Sequence, residues 1–157
     1  RRILAGSRVE LFYLGGAEFL VLGPVNIVKA NPQKTQENHN SLIVRVTYGS
    51  NTFLLTGDAT STEYKQVQAA DPGCLRAQVF KNAHHNGQSG FALTHVLPQI
   101  TVFSTRSDEL PKSPYLRQIR EAGSLIYITV DNRHGHVKII SDGANLSVTT
   151  QFEYPNQ

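Results

Sequence analysis

The sequence predicts an α/β chain built on a mixed β-sheet with flanking helices. Three observations carry that reading. Two apolar strand patterns meet at a tight turn within "SLIVRVTYGSNTFLLTG" (41–57), the mark of an antiparallel hairpin. From residue 59 onward, helical and strand-like segments alternate, as parallel crossovers require. The composition is 39% hydrophobic and 17% charged over 157 residues, which suits one domain with a core and excludes a disordered chain.

The elements follow in order. Residues 9–30, "VELFYLGGAEFLVLGPVNIVKA", are densely apolar and broken by Gly15-Gly16 and Gly23-Pro24, so they read as two or three strands. The polar stretch "NPQKTQENHN" (31–40) reads as a loop. In the next strand Leu42, Val44 and Val46 alternate with Ile43, Arg45 and Thr47. Ser50-Asn51 is the expected turn, and "TFLLTG" (52–57) returns. "ATSTEYKQVQAA" (59–70) is helical, with Thr60 or Ser61 as cap and Glu63 among the free N–H groups of the first turn. "LRAQVFKNA" (75–83) is a strand, "HHNGQSG" (84–90) a loop, and "FALTHVLPQ" (91–99) a short helix stopped by Pro98. "ITVFST" (100–105) is a strand. "SPYLRQIREAG" (113–123) is a helix with Pro114 near its start and Gly123 past its end. "SLIYITV" (124–130) is a strand, and residues 136–154 close the chain as a hairpin turning at Asp142-Gly143.

Bulk properties narrow the function little. The net charge of +3, without any Lys/Arg-rich block, is compatible with a polyanionic substrate and does not require one. The single cysteine, Cys74, excludes an internal disulfide and reads as a structural thiol. That leaves the compartment open between the cytoplasm and an extracytoplasmic bacterial setting. No apolar run approaches a membrane span. The chain begins Arg1-Arg2 and holds no methionine, from which a longer parent polypeptide is expected.

Polar residues gather where strands end, at "ENHNS" (37–41), "TGDA" (56–59) and "NAHHNG" (82–87). Asp58 either caps the following helix or sits at a strand tip for chemistry. Carboxylate and imidazole are the donor types that suit a hydrolytic zinc or manganese ion. Adjacent histidines on a strand point to opposite faces, so both serve one site only if the strand has already ended.

Five blocks resemble a known family. "NSLIVRVTYGSNTFLLTGDATSTEYKQV", "LRAQVFKNAHHNGQSG", "ITVFST", "YLRQIREAGSLIYIT" and "GHVKIISDG" are similar, in order, to the metallo-β-lactamase-fold hydrolases. The branch is the one that includes the hydrolase domain of ComEC-type DNA-uptake proteins. Its pattern is N-x-S-L-V-L-R, then L-L-T-G-D, then G-H-H-G-S, then a C-terminal S-D-G block. The resemblance covers roughly residues 38–148. It implies an αββα sandwich, of which this chain is mainly the C-terminal half (38–157), with 1–37 joining from the N-terminal half. It implies two zinc or manganese ions in the complete enzyme, with Asp58 bridging and His84 or His85 completing a metal shell or assisting proton transfer. Water acidified between the two cations would attack a phosphodiester, as in a nuclease. Asn40 and Ser41 match the family's Asn-Ser before the strand. With Lys81, Arg106 and Lys112, they are the candidate substrate contacts.

The chain also departs from the pattern. The family's H-x-H-x-D-H ligand motif has no counterpart, since His39, His95, His134 and His136 are scattered. His134-Gly135-His136 reads as a solvated hairpin feature. Ala83 stands for the glycine before the double histidine, and Asn86-Gly87 for the Gly-Ser after it. "RSDELPKSPYL" (106–116) lacks the histidine expected there. Residues 1–157 alone are therefore expected to be inactive. Either they belong to a larger hydrolase, or they form a degenerate, metal-free interaction domain. One half of the sandwich would expose an inner sheet face, to which Val44, Val46, Leu54, Val79 and Val102 are assigned. The expected partner is the missing N-terminal half or a second copy covering that face. Arg1, Arg2, Arg8, Lys29 and Lys34 read as solvated, and Tyr115 and Tyr127 as packing residues.

Overall fold

The computed structural model describes residues 2–4, 7–9, 11–27, 37–85 and 89–155. Eleven strands and three helices occur among them. β1 (Arg2–Leu4) and β2 (Ser7–Val9) form a small antiparallel pair. β3 (Leu11–Leu14), β4 (Ala17–Gly23), β5 (Ile43–Tyr48), β6 (Asn51–Leu55), β7 (Val79–Lys81), β8 (Ile100–Phe103) and β9 (Leu125–Ile128) form one seven-stranded sheet in sequence order. Its first four strands are antiparallel neighbours and its last four are parallel. This is the expected mixed sheet. β10 (Val137–Ser141) and β11 (Leu146–Thr150) pair as the expected hairpin.

The parallel strands are joined through α1 (Ser61–Ala70), α2 (Gly90–Val96) and α3 (Ser113–Glu121). Each crossover steps the same way along the sheet, and right-handed crossovers then put all three helices on one face. The core confirms it. The cross-strand row Leu54, Phe80, Thr101 and Ile126 is 0–6% exposed. Leu54 and Phe80 pack with Tyr64, Val67, Ala92 and Val96, while Ile126, Phe103 and Ile128 pack with Tyr115, Leu116 and Ile119. Tyr115 is thus a packing residue, edge-on to Phe103. No described helix is long and apolar enough to cross a membrane.

The opposite face carries Val46, Phe53, Val79, Ile100 and Leu125 in one cross-strand row, and Val44, Leu55, Lys81, Val102 and Tyr127 in the next. Val44, Val46, Val79 and Val102, four of the five residues assigned to one common face, therefore share a face. Leu54 does not: strand side chains alternate, and Leu54 lies on the helix side between Phe53 and Leu55. Phe12, Leu14, Leu55 and Leu125, all on this second face, are 45–69% exposed. Phe12 stacks on Phe19 with ring centroids 4.9 Å apart.

Other expectations shift in detail. The hairpin turn is Gly49-Ser50, one residue earlier than expected, because Tyr48 pairs with Asn51. Gly49 has φ +58°, and a Cβ there would run into the Gly143 carbonyl oxygen. That close approach docks the β10–β11 turn on the β5–β6 turn. It is secured by Ser50 N–H to Gly143 O at 2.7 Å and Asn51 Nδ2 to Ser141 Oγ at 2.8 Å. The strand expected over 75–83 keeps only three ladder residues, since Leu75 and Ala77 are drawn into the helix-side core. Of the loop expected at 31–40, residues 31–36 lie outside the described residues, and Glu37–Asn40 form a turn of 3-10 helix.

His134 corrects a further expectation. It is buried, not solvated, and its Nδ1 accepts the Ile128 N–H at 3.1 Å. Its ring lies between Tyr127 and Tyr154. His136 is exposed. Cys74 is buried, as a structural thiol should be, and the Cys74 carbonyl accepts from Arg45.

Candidate functional site

The C-terminal ends of β6–β9 lie along one rim, and the loops leaving them carry the candidate residues. In open α/β sheets ligands bind at this edge, usually in the crevice where strand order reverses. Here the order never reverses, so the rim is open. Asp58 and His84 are 41% and 55% exposed.

Asp58 is held by a tied turn. Thr56 Oγ1 donates to the Lys81 carbonyl at 2.9 Å, linking the ends of β6 and β7. Gly57 has φ +49°, a conformation that suits glycine, and lies against Ser41 and the Leu42 carbonyl. The Asp58 N–H donates to Ser41 Oγ at 3.1 Å, which gives Ser41 a positioning role. Asp58 does not cap α1. Thr60 does, in a capping box with Glu63. The Asp58 carboxylate is therefore left to the rim.

The double histidine begins after β7 has ended, so both rings lie at the rim. His84 and His85 have φ of 48° and 47°. Two consecutive non-glycine residues in the left-handed region cost about 1–3 kcal/mol each and persist only where neighbours fix them. Three bonds fix this pair. The His84 N–H donates to the Gly57 carbonyl at 3.2 Å. His84 Nδ1 accepts from Asn38 Nδ2 at 3.0 Å. His85 Nδ1 lies 2.8 Å from the Ser104 carbonyl oxygen, which can only accept.

These bonds decide the tautomers. An Asn amide nitrogen only donates, so neutral His84 carries its proton on Nε2. His85 carries its proton on Nδ1, which frees the Nε2 lone pair. A histidine oriented through Nδ1–H to a backbone carbonyl is the usual state of a metal ligand. His85 could thus accept a metal through Nε2, whereas His84 lies beside the carboxylate, with Nδ1 3.9 Å from Asp58 Oδ2.

Basic residues flank the pair. Lys81 ends β7 half-buried; burial lowers its ammonium below the ordinary lysine range, and Asp58 opposes that. Arg106 is exposed and forks onto Asp108 at 3.2 and 3.0 Å. Both line an open hollow beyond the ends of β8 and β9, shared with Thr129 and Asp131. Lys112 is exposed at the start of α3. Asn40 ends the 3-10 turn next to Ser41. The structure thus joins Asp58, His84, Ser41 and Lys81 in one neighbourhood, ties His85 to Ser104, and leaves Arg106 and Lys112 along the rim. Asn86 and Gly87 lie outside the described residues.

Sequence reasoning missed the support beneath this pair. His39 Nδ1 donates to Glu63 Oε1 at 2.7 Å, and Glu63 Oε2 takes the Thr60 N–H at 2.9 Å. Burial pushes the Glu63 carboxyl upward, but the bonds from Thr60 and His39 outweigh it and hold the group below its ordinary range. This fixes the 3-10 turn that delivers Asn38 to His84. His39 and Glu63 are 24 residues apart, a separation no local spacing rule reads.

The donors suit zinc or manganese in type and fall short in number. Among the described residues, no group of three or more His, Cys, Asp or Glu side chains is placed to hold a metal ion. No protein-family model matches the chain, and no curated protein matches it.

Proposed function

We propose that this chain is the C-terminal half of a metallo-β-lactamase-fold hydrolase that cleaves phosphodiesters, nucleic acid included, and that its rim supplies part of a metal site. The observation that carries the reading is the Asp58–His84–His85 constellation. A half-exposed carboxylate lies 3.9 Å from an imidazole, next in sequence to a second imidazole whose Nδ1–H is taken by the Ser104 carbonyl. Both residues of the strained double histidine are exposed at the rim. The five sequence blocks support the same reading.

In this account Asp58 and His85 hold zinc or manganese, two ions in the complete enzyme. A bound dication would supply an acidified water and neutralise phosphate charge. Ser41 orients the Asp58 backbone, and Asn38 keeps His84 in its tautomer. Lys81 and Arg106 contribute positive charge for a phosphate. The remaining ligands come from another segment that lies beside the exposed Leu55 on the second sheet face. The test is turnover of bis(p-nitrophenyl) phosphate with added zinc or manganese, using protein isolated from its source. Turnover that Asp58→Asn abolishes supports the reading, and turnover that survives the substitution overturns it.

A second reading has its own observation. The shortage of donors among the described residues favours a metal-free binding domain on the same scaffold. Protein from the source that carries no metal and leaves the diester intact would establish it.

A further inference from the structure

A hollow of about 400 Å3 opens on the helix side of the sheet, at the end opposite the rim. Thr52 lines it near the start of β6, Gln78 and Gln99 line it just before β7 and β8, and Val96 and Leu97 border it at the end of α2. Ligands of open α/β sheets react at the carboxyl ends of the strands, so this end lies away from the expected catalytic edge. No Asp, Glu, His, Cys or Ser is among the described residues lining it, which makes it a place for binding without a general base.

The lining groups leave donors over. Arg45 stands in β5 directly across from Leu54, in the row that packs beneath the helices, where an apolar side chain is the ordinary choice. Its half-buried guanidinium gives one N–H to the Cys74 carbonyl at 3.3 Å, and its Nε–H is buried without a partner among the described residues. Arg76 is exposed on the same hollow. Neither arginine forms an ion pair with a described residue. The acceptors, by contrast, are taken. Gln78 Oε1 accepts the Thr52 N–H at 2.8 Å, which leaves the Gln78 amide nitrogen as a further donor. Thr52 Oγ1 accepts the Gln78 N–H at 3.1 Å, and the Val96 carbonyl in the last turn of α2 accepts the Ala77 N–H at 3.2 Å.

A half-buried cation is costly without a counter-charge, and two cations that share one hollow repel each other. An anion that reaches both removes both penalties. A phosphate fits better than a carboxylate. It carries about two negative charges at neutral pH, against two guanidiniums, and its oxygens match their planar forks. We propose that this hollow binds a phosphate group, free or carried by a small molecule, between Arg45 and Arg76, with the Gln78 amide as a further donor. The site uses no metal and stands whether or not the rim is catalytic.

The test is a backbone-amide NMR titration of the full chain with inorganic phosphate and with phenyl phosphate, at neutral pH, without added metal and with chloride holding the ionic strength constant. Both probes should give saturable shifts at the amides of Thr52, Ala77 and Gln78. Arg76→Gln should weaken binding about ten-fold, the worth of one charge-assisted hydrogen bond. Arg76 is exposed, so this variant should fold. Tighter binding of phenyl phosphate supports a phosphorylated small molecule as the ligand, and equal or weaker binding supports free phosphate. Absence of saturable shifts at these amides with either probe overturns the proposal, as do shifts confined to the 56–59 and 82–85 turns, or an unaltered affinity in Arg76→Gln. Those turns lie at the other end of the sheet, so failure of this site is read separately from failure of the hydrolase reading.

Discussion

His84 and Asp58 sit at the tips of adjacent parallel strands with Nδ1 and Oδ2 3.9 Å apart, and a backbone bond joins their two turns, from the His84 N–H to the Gly57 carbonyl. The proximity is built into the backbone. Gly57, His84 and His85 all adopt left-handed φ, so the chain reverses on both sides of the pair.

The tautomers rank the two histidines. His85 presents a free Nε2, whereas neutral His84 carries a proton there and accepts from Asn38 on the other nitrogen. His85→Ala should weaken zinc binding by more than about ten-fold, and His84→Ala by less. Isothermal titration calorimetry of both variants checks the order.

Glu63 ties the rim support to α1. Glu63→Gln should cost about 1–3 kcal/mol, because His39 and Thr60 lose a charged acceptor. The pH dependence has a definite sign. The folded carboxyl lies below its ordinary value near 4.5, so its contribution is present above that value and is lost as pH falls through the folded value. Thermal unfolding between pH 7 and about pH 3 should show this loss in the wild type and a smaller one in the variant.

His134 acts at higher pH. Burial lowers its pKa below 6.5, aided by Arg133, so the folded state favours the neutral ring. Its contribution is full above 6.5 and declines as pH falls from there toward the folded value. His134→Phe should remove that pH dependence. It should also lower stability by about 1–3 kcal/mol at pH 8, because the buried Ile128 N–H loses its acceptor. Urea denaturation at pH 8 and about pH 5.5 separates the two effects.

The exposed apolar residues on the second sheet face should make the isolated chain self-associate. Phe12, Leu14, Leu55 and Leu125 are each at least 45% exposed on it. Sedimentation velocity at micromolar concentration should show dimer or larger species, and Leu55→Glu should shift them toward monomer. A monodisperse wild-type monomer that binds no apolar dye would contradict this.

The sequence made some of this plain. The β5–β6 hairpin and the three crossovers announce themselves in local pattern, and Thr60 is one of the caps that pattern offers for α1. The face of Leu54 did not, because apolar residues occupy both faces of β5 and β6 and alternation then cannot say which one the helices cover. His134 was hidden for a different reason. An H-x-H beside a turn reads as solvated until the chain returning past Tyr154 closes over it. The His39–Glu63 pair depends on tertiary placement alone. That Asp58 is free of the helix cap became clear only when Thr60 was seen to hold it.

The most direct measurement of the central claim is a zinc titration of the isotopically labelled chain followed by amide NMR, with Asp58→Asn in parallel. The account predicts saturable changes confined to the 56–59 and 82–85 turns and their neighbour Ser104, strongly weakened in Asp58→Asn. Changes centred on His95 or His136, no saturable change, or an unaltered response in Asp58→Asn would contradict it.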